Sequence, residues 1–295
     1  MPTLSILIPT YNYNARALVE SMLSLAHAED VDAEVLIGDD GSTRETEWMD
    51  KLCTPEPLRV LRAEKNLGRS AIRNRLAEAA RGEWLLFVDC DAEVPSTFSL
   101  RRYLSATEHS AVVSGGLCNP VEGPSPGREL RWRYEEASKS LFAAERLNRR
   151  EKVPFRTFSF IIRRDIFLAV RFDETIRHYG YEDVIFGIEL ERLGHRPYYI
   201  DNPLINGDIE PNDVYLSKVE TAMQTLRTLG DRMTGYSGIL DLANRLTRLH
   251  LAWSVRLLFR LIKKQLRRNL LGSRPNLYLF SFYRLGYFLN LSSQS

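Results

Sequence analysis

Short apolar runs alternate with stretches of helical period along the first two-thirds of the chain. Residues 4–8 (Leu-Ser-Ile-Leu-Ile) read as a strand closed by Pro9, and residues 15–26 as a helix. A second strand at 34–37 leads into Asp39-Asp40-Gly41-Ser42, and 43–52 reads as a short helix. A third strand at 58–61 precedes a helix over 66–80 that Gly82 stops. The run 84–88 (Trp-Leu-Leu-Phe-Val) is the most apolar strand. A helix over 97–107 and a strand at 111–114 follow. This order predicts an α/β fold, Rossmann-like, with a mostly parallel sheet flanked by helices. Strands that are near-continuously apolar suit a sheet covered on both faces.

Beyond residue 115 the pattern is less regular. Residues 119–127 read as a loop, and 129–148 as a charged surface helix. A strand at 157–162, a helix over 184–193 stopped by Gly194, and a short strand at 197–200 complete the alternating part. Residues 202–212 read as a loop and 214–229 as a helix. We place a domain boundary between residues 215 and 216, with a helical C-terminal extension over 216–295.

The chain has 295 residues, 44% hydrophobic and 26% charged, the composition of a soluble globular protein with a sizeable core. Cys53, Cys90 and Cys118 are far apart and form no CxxC pair, so neither a zinc site nor a disulfide framework is expected. No basic leader precedes the first strand, and no run of eighteen uncharged apolar residues occurs. These readings point to the cytoplasm. The net charge of +2 conceals an asymmetry: residues 242–295 contain ten Lys or Arg and no Asp or Glu. A partner bearing negative charge is expected there.

The chemistry gathers where strands end. Asp89-Cys90-Asp91 follows the apolar run directly, and residues i and i+2 of an extended segment face one side. Two carboxylates so placed can aim at one hard cation, which prefers oxygen ligands. Pro9-Thr10-Tyr11-Asn12 ends the first strand and Asp39-Asp40-Gly41-Ser42 the second. In a parallel sheet these ends share an edge, the edge where open α/β sheets bind ligands. Together they could hold a nucleoside, its diphosphate and a divalent ion. Arg69 and Arg73, four apart on one helix, could reach a phosphate, or pair as surface charges. Glu182-Asp183 opens a late helix, where acids also favour the helix dipole.

These segments, with Asn66-Leu67-Gly68, Arg73-Asn74 and Gly180-Tyr181-Glu182-Asp183 through Arg192-Leu193-Gly194, resemble glycosyltransferase family 2, the GT-A fold. The likeness spans roughly residues 3–215 in the family's order. It implies an inverting transferase moving a sugar from a nucleotide-diphosphate donor, a UDP-sugar foremost, to a hydroxyl of a glycan or lipid-linked acceptor in polysaccharide or lipopolysaccharide-type biosynthesis. By the resemblance, Pro9, Thr10 and Tyr11 line the nucleoside pocket and Asp40 bonds the base. Arg69, Arg73 and Asp89 belong to the donor site, and Asp91, with Asp89, holds Mn²⁺ or Mg²⁺. Asp183 is the general base, with Glu182 the second choice. A carboxylate can serve because the acceptor hydroxyl becomes acidic only as its bond to carbon forms. The chain departs from the family after Asn202-Pro203-Leu204, where a His metal ligand is usual and none occurs. Asn206 is the nearest equivalent and Asp208 the neighbouring alternative.

On a helix over 244–271, Leu251, Val255, Leu258, Ile262 and Leu266 form one stripe, and Arg256, Arg260, Lys263 and Arg267 the opposite one. A basic amphipathic helix suits an anionic membrane surface, so the expected location is peripheral, at the inner face. Packing on the catalytic domain, or a homodimer interface, would account for the same stripe. No nucleic-acid reader motif accompanies the charge, so nucleic acid is not an expected partner. Two rival functions fit the acids alone: a nucleotidyltransferase, and a non-catalytic sugar-nucleotide or glycan-binding module.

Overall fold

The computed structural model describes residues 3–52 and 56–291; Cys53 lies outside them. In chain order the elements are β1 (Leu4–Thr10), α1 (Arg16–Ala28), β2 (Ala33–Asp39), α2 (Glu47–Lys51), β3 (Leu58–Arg62), α3 (Arg69–Ala79), β4 (Trp84–Val88), β5 (Ala92–Glu93), α4 (Leu100–Ala106), β6 (Val112–Ser114) and β7 (Leu117–Cys118). There follow α5 (Glu129–Ser138), α6 (Ala144–Asn148), β8 (Ser159–Arg163), α7 (Arg164–Val170), α8 (Glu182–Arg192), β9 (Tyr198–Tyr199), β10 (Leu204–Asn206), α9 (Asn212–Leu229), α10 (Gly238–Arg248), α11 (Ala252–Leu270) and α12 (Leu277–Asn290).

Seven strands form the main sheet in the order β3-β2-β1-β4-β8-β6-β9. β1 to β4 run parallel, as their apolar runs and intervening helices predict. β8 breaks the pattern by inserting antiparallel between β4 and β6. Side chains of β1 alternate between two cores. Ile6 and Ile8 pack with Val19 and Met22 of α1, while Leu7 packs with Leu76 of α3 and Phe186 of α8. This period-two division is the physical reason the strand is buried at every position. Pro9 does not end β1. Pairing with β4 stops at Leu7, so Pro9 owes no amide to that neighbour.

Two predicted helices are interrupted. The charged segment 129–148 divides into α5, a 3₁₀ turn at Lys139–Phe142, and α6. The stretch 244–271 breaks after Arg248, where His250 takes a left-handed conformation (φ +56°), and resumes as α11. The loop over 202–212 contains β10, which joins β5 and β7 in a small second sheet. α9 spans the expected boundary at 215/216. Val184 and Ile185 of α8 share a core with Met223 of α9 and Phe288 of α12. Among the described residues no helix is long and apolar enough to cross a membrane.

Candidate active site

A cleft of about 490 Å³ opens at the carboxyl ends of β1, β2 and β4. Pro9, Thr10, Tyr11, Asp40, Asp89 and Asp91 line it, so the sheet unites the first three polar segments at one edge. Around Asp40 the chain makes a tight turn. Gly41 sits at φ +73°, and a Cβ there would lie 2.4 Å from the Lys65 carbonyl carbon, so only glycine fits without displacing backbone. Asp40 Oδ1 accepts from the Leu67 amide at 2.7 Å and Oδ2 from the Gly68 amide at 3.0 Å. The carboxylate thus pins the loop that opens α3. Burial pushes its pKa up, with those two amides pulling against it. The neighbouring Asp39 caps the turn by accepting from the Ser42 amide at 2.9 Å.

Asp89 lies in a chain of ion pairs. Its Oδ1 meets Arg73 Nη2 at 2.5 Å and its Oδ2 meets Arg69 Nη2 at 3.6 Å. Arg69 Nε also reaches Glu182 Oε1 at 3.0 Å, while Glu182 Oε2 accepts from the Gly180 amide at 3.2 Å. The arrangement Glu182–Arg69–Asp89–Arg73 therefore ties the start of α8 to the end of β4. Tyr181 enters α8 in the left-handed region (φ +70°), a strained conformation for a bulky residue, held here by its surroundings.

Among the described residues Asp91 and Asp183 have no ion-pair partner, unlike Asp89 and Glu182. Burial first, then the Asp89 charge, push the Asp91 carboxyl up to about 6. Burial first, then Glu182, push Asp183 up to about 7, with Arg69 and Arg156 pulling it back. Asp183 Oδ1 accepts from the Val184 amide at 2.8 Å. Asp91 joins the small sheet through its carbonyl, which accepts from the Gly207 amide at 2.9 Å. Next along β10, Asn206 is fully buried beside Ala92. Its Nδ2 donates to Glu135 at 3.3 Å, and its Oδ1 has no hydrogen-bond partner among the described residues.

A divalent ion fits this donor set. The unpaired Asp91 carboxylate and the orphaned Asn206 oxygen are hard donors, and Mg²⁺ commonly takes one or two protein oxygens and fills its shell with phosphates and water. Among the described residues no cluster of three or more His, Cys, Asp or Glu stands ready for a metal. Asp89 is engaged by arginines, and Asp208 pairs with Arg128 at 3.0 Å.

Sequence reasoning missed the far wall of the cleft. Arg131, Arg177, Tyr179, Glu210 and Lys218 all line it. Arg131 pairs with Glu135 at 2.9 Å, and both Arg131 and Lys218 pair with Glu210. The Tyr179 ring lies 5.5 Å from the Arg69 guanidinium and 5.4 Å from the Lys218 ammonium. In sequence, Arg131 and Glu135 are an ordinary i,i+4 pair on a charged helix, indistinguishable from solvated charges.

A second cavity, of about 390 Å³, adjoins this wall. Phe142, Phe158 and Tyr199 line it with Glu135 and Arg156. Glu135 links it to Arg131 of the cleft, and Arg156 acts on Asp183. The buried Tyr199 hydroxyl has no hydrogen-bond partner among the described residues.

Open α/β sheets bind ligands at such an edge, and here acids stand behind β4. The family model for Glycosyl transferase family 2 matches residues 5–171, and the chain belongs to that family. It is 26% identical over 227 residues to a chondroitin synthase of Escherichia coli, covering 65% of this chain and 32% of that protein. It is 38% identical over 90 residues to an uncharacterized glycosyltransferase of Haemophilus influenzae, covering 30% and 29%. The chain thus spans about a third of the length of each relative. Among solved structures it is similar to the mannosyltransferase PcManGT of Pyrobaculum calidifontis, in complex with GDP-Man and Mn²⁺ (TM-score 0.59, 15% identity, 98% of this chain and 85% of that one). It is also similar to TarS of S. aureus (TM-score 0.54, 20% identity, 96% and 54%). The fold is GT-A.

Proposed function

We propose that this chain is an inverting glycosyltransferase that takes a sugar from a nucleotide-diphosphate donor, a UDP-sugar foremost. The acceptor is a hydroxyl of a glycan or lipid-linked precursor in polysaccharide or lipopolysaccharide-type biosynthesis, and the work is done at the inner face of a membrane. The observation carrying the reading is the ion-pair chain Glu182–Arg69–Asp89–Arg73, which ties the start of α8, where Asp183 follows Glu182, to the end of β4, two residues before Asp91. Structures of relatives bound to GDP-Man and to UDP support a nucleotide-sugar donor.

In this reading Thr10, Tyr11 and Asp40 border the nucleoside, with Asp40 shaping the loop as well as facing the base. Arg69 and Arg73 orient Asp89 toward the ribose. Asp91 and the Asn206 oxygen would hold Mn²⁺ or Mg²⁺; when bound, that ion offsets the charge building on the departing diphosphate. Asp183 takes the proton from the acceptor hydroxyl. Glu182 is less suited, because both its oxygens are engaged by Arg69 and Gly180. A base near pKa 7 is well matched to proton transfer at neutral pH. The cavity bordered by Phe142, Phe158 and Tyr199 is the acceptor's place, since Arg156 connects it to Asp183. The aromatic rings can cover a sugar's apolar face and the acids can accept its hydroxyls.

The test is a panel of nucleotide sugars with Mn²⁺, assayed for nucleoside diphosphate release. Release from one donor supports the reading. Release of pyrophosphate instead would mark a nucleotidyltransferase, and binding without release a non-catalytic module.

A further inference from the structure

The apolar stripe anticipated for the C-terminal helix divides: Val255, Ile262 and Leu266 face inward, whereas Leu251 and Leu258 are exposed. Phe259, Leu266 and Leu270 of α11 are buried against Phe280 and Tyr283 of α12, and Val255 and Ile262 are partly buried. Arg267 also points inward, to Glu220 of α9 at 2.7 Å. Packing of α11 on the protein is therefore satisfied by one face. The opposite face is apolar as well. Trp253, Leu257 and Leu261 recur every four residues and are 66%, 51% and 68% exposed. Leu249, Leu251 and Leu258 extend the patch, and of the fourteen large apolar side chains exposed among the described residues, nine lie between Leu242 and Tyr278. Solvated surfaces rarely gather apolar side chains in this way without an occupant.

Charge identifies the occupant. Arg256 and Arg260 flank the patch, and Lys264 and Arg268 continue the outer face one and two turns further. All four are exposed. No acid occurs anywhere from residue 242 onward, and Arg260 Nε donates to the neutral Asn290 Oδ1 at 2.8 Å. A tryptophan and leucines ringed by unopposed cations match the boundary between anionic headgroups and acyl chains.

We propose that this outer face of α11 docks in the plane of an anionic bilayer, with Trp253, Leu257 and Leu261 inserted and Arg256, Arg260, Lys264 and Arg268 on lipid phosphates. The inference deepens the proposed membrane location and does not depend on the chemistry of the cleft. It also bears on the acceptor. Asn212, at the start of α9, donates to the Gly272 carbonyl just beyond α11 at 3.3 Å, and Arg133 donates to the Pro275 carbonyl at 3.1 Å. The end of α11 is thereby fixed to the segment that supplies Asp208 and Glu210 to the cleft. An acceptor whose lipid stays in the bilayer is the class this arrangement favours.

The test is flotation of the full chain with phosphatidylcholine vesicles and with vesicles half phosphatidylglycerol. The chain is expected to rise only with the anionic vesicles. Trp253→Ser/Leu257→Ser/Leu261→Ser, all exposed, should lower the bound fraction at least about tenfold while leaving the melting temperature and nucleoside diphosphate release unchanged. Arg256→Glu/Lys264→Glu should abolish the preference for anionic lipid. Brominated lipid should quench tryptophan emission of the parent chain more than that of Trp253→Phe. Full flotation of the triple variant would overturn this face while leaving a membrane location intact. Equal binding to neutral vesicles would overturn the charge argument. Absence of flotation, with a doubled mass that the triple variant reverses, would make the patch a dimer interface.

Discussion

Replacing Asp183 by Asn should separate stability from catalysis. Asn keeps an oxygen for the Val184 amide and removes only the charge. In the fold the Asp183 carboxyl titrates near 7 instead of 3.8, because burial and the Glu182 charge disfavour its ionised form. A raised carboxyl pKa means the folded state holds the proton more tightly than the unfolded state. The charge therefore costs nothing below the unfolded value, and the penalty grows as pH rises through 3.8 and levels off above about 7. At about 1.4 kcal/mol per unit of separation, the full penalty is roughly 4 kcal/mol at pH 8 and under about 2 kcal/mol at pH 5. Urea unfolding of Asp183→Asn and the parent should show the variant more stable at pH 8, with the advantage shrinking by more than half at pH 5. Transfer should be lost while donor affinity persists, and the parent's kcat/KM should fall as pH drops below about 7. An Asn variant that is less stable at pH 8, or equally shifted at both pH values, would refute the half-buried carboxylate of raised pKa on which the base assignment rests.

Asp91→Asn should depress turnover by at least about a hundredfold, unrestored by added Mn²⁺, and weaken Mn²⁺-dependent nucleotide binding in calorimetry. Undiminished activity would remove Asp91 from the metal role. Arg73→Ala removes the shorter, buried partner of Asp89 and leaves only Arg69 at 3.6 Å, so chemical denaturation should register a loss of about 3–5 kcal/mol. A loss below about 1 kcal/mol would mean Arg69 alone compensates Asp89. Gly187→Ala would place a Cβ 2.4 Å from Phe155 Cβ inside the aromatic core beneath α8, for an expected cost of about 1–3 kcal/mol. Thermal melting checks it, and a stabilised variant would show that α8 can shift.

The strands on this edge of the sheet and the polar residues behind them were legible in the chain. β1, β2 and β4 announce themselves as apolar runs because both faces of each are buried, the edge strand β3 being only partly covered, and Thr10, Asp40, Asp89 and Asp91 follow those runs directly. Their convergence needs only that parallel strands end on one edge. The N-terminal acids of α8 were visible for a similar local reason. What stayed hidden depends on pairings between distant residues. β8 enters beside β4 across some seventy residues, with no local signal of its neighbour or direction. Arg131, Glu210 and Lys218 carry no motif and became a cleft wall only when α5 and α9 packed together. Likewise, apolar periodicity marked α11 as two-sided. Which leucines are covered followed from where α12 lies, a question of packing that helical spacing alone does not answer. Local patterning therefore carried the strands and the acids behind them, because burial and turn chemistry act over a few residues. The partners of those acids, the pKa of Asp183 and the face left open on α11 were settled by long-range contacts, because charge environment and solvent exposure belong to the assembled fold.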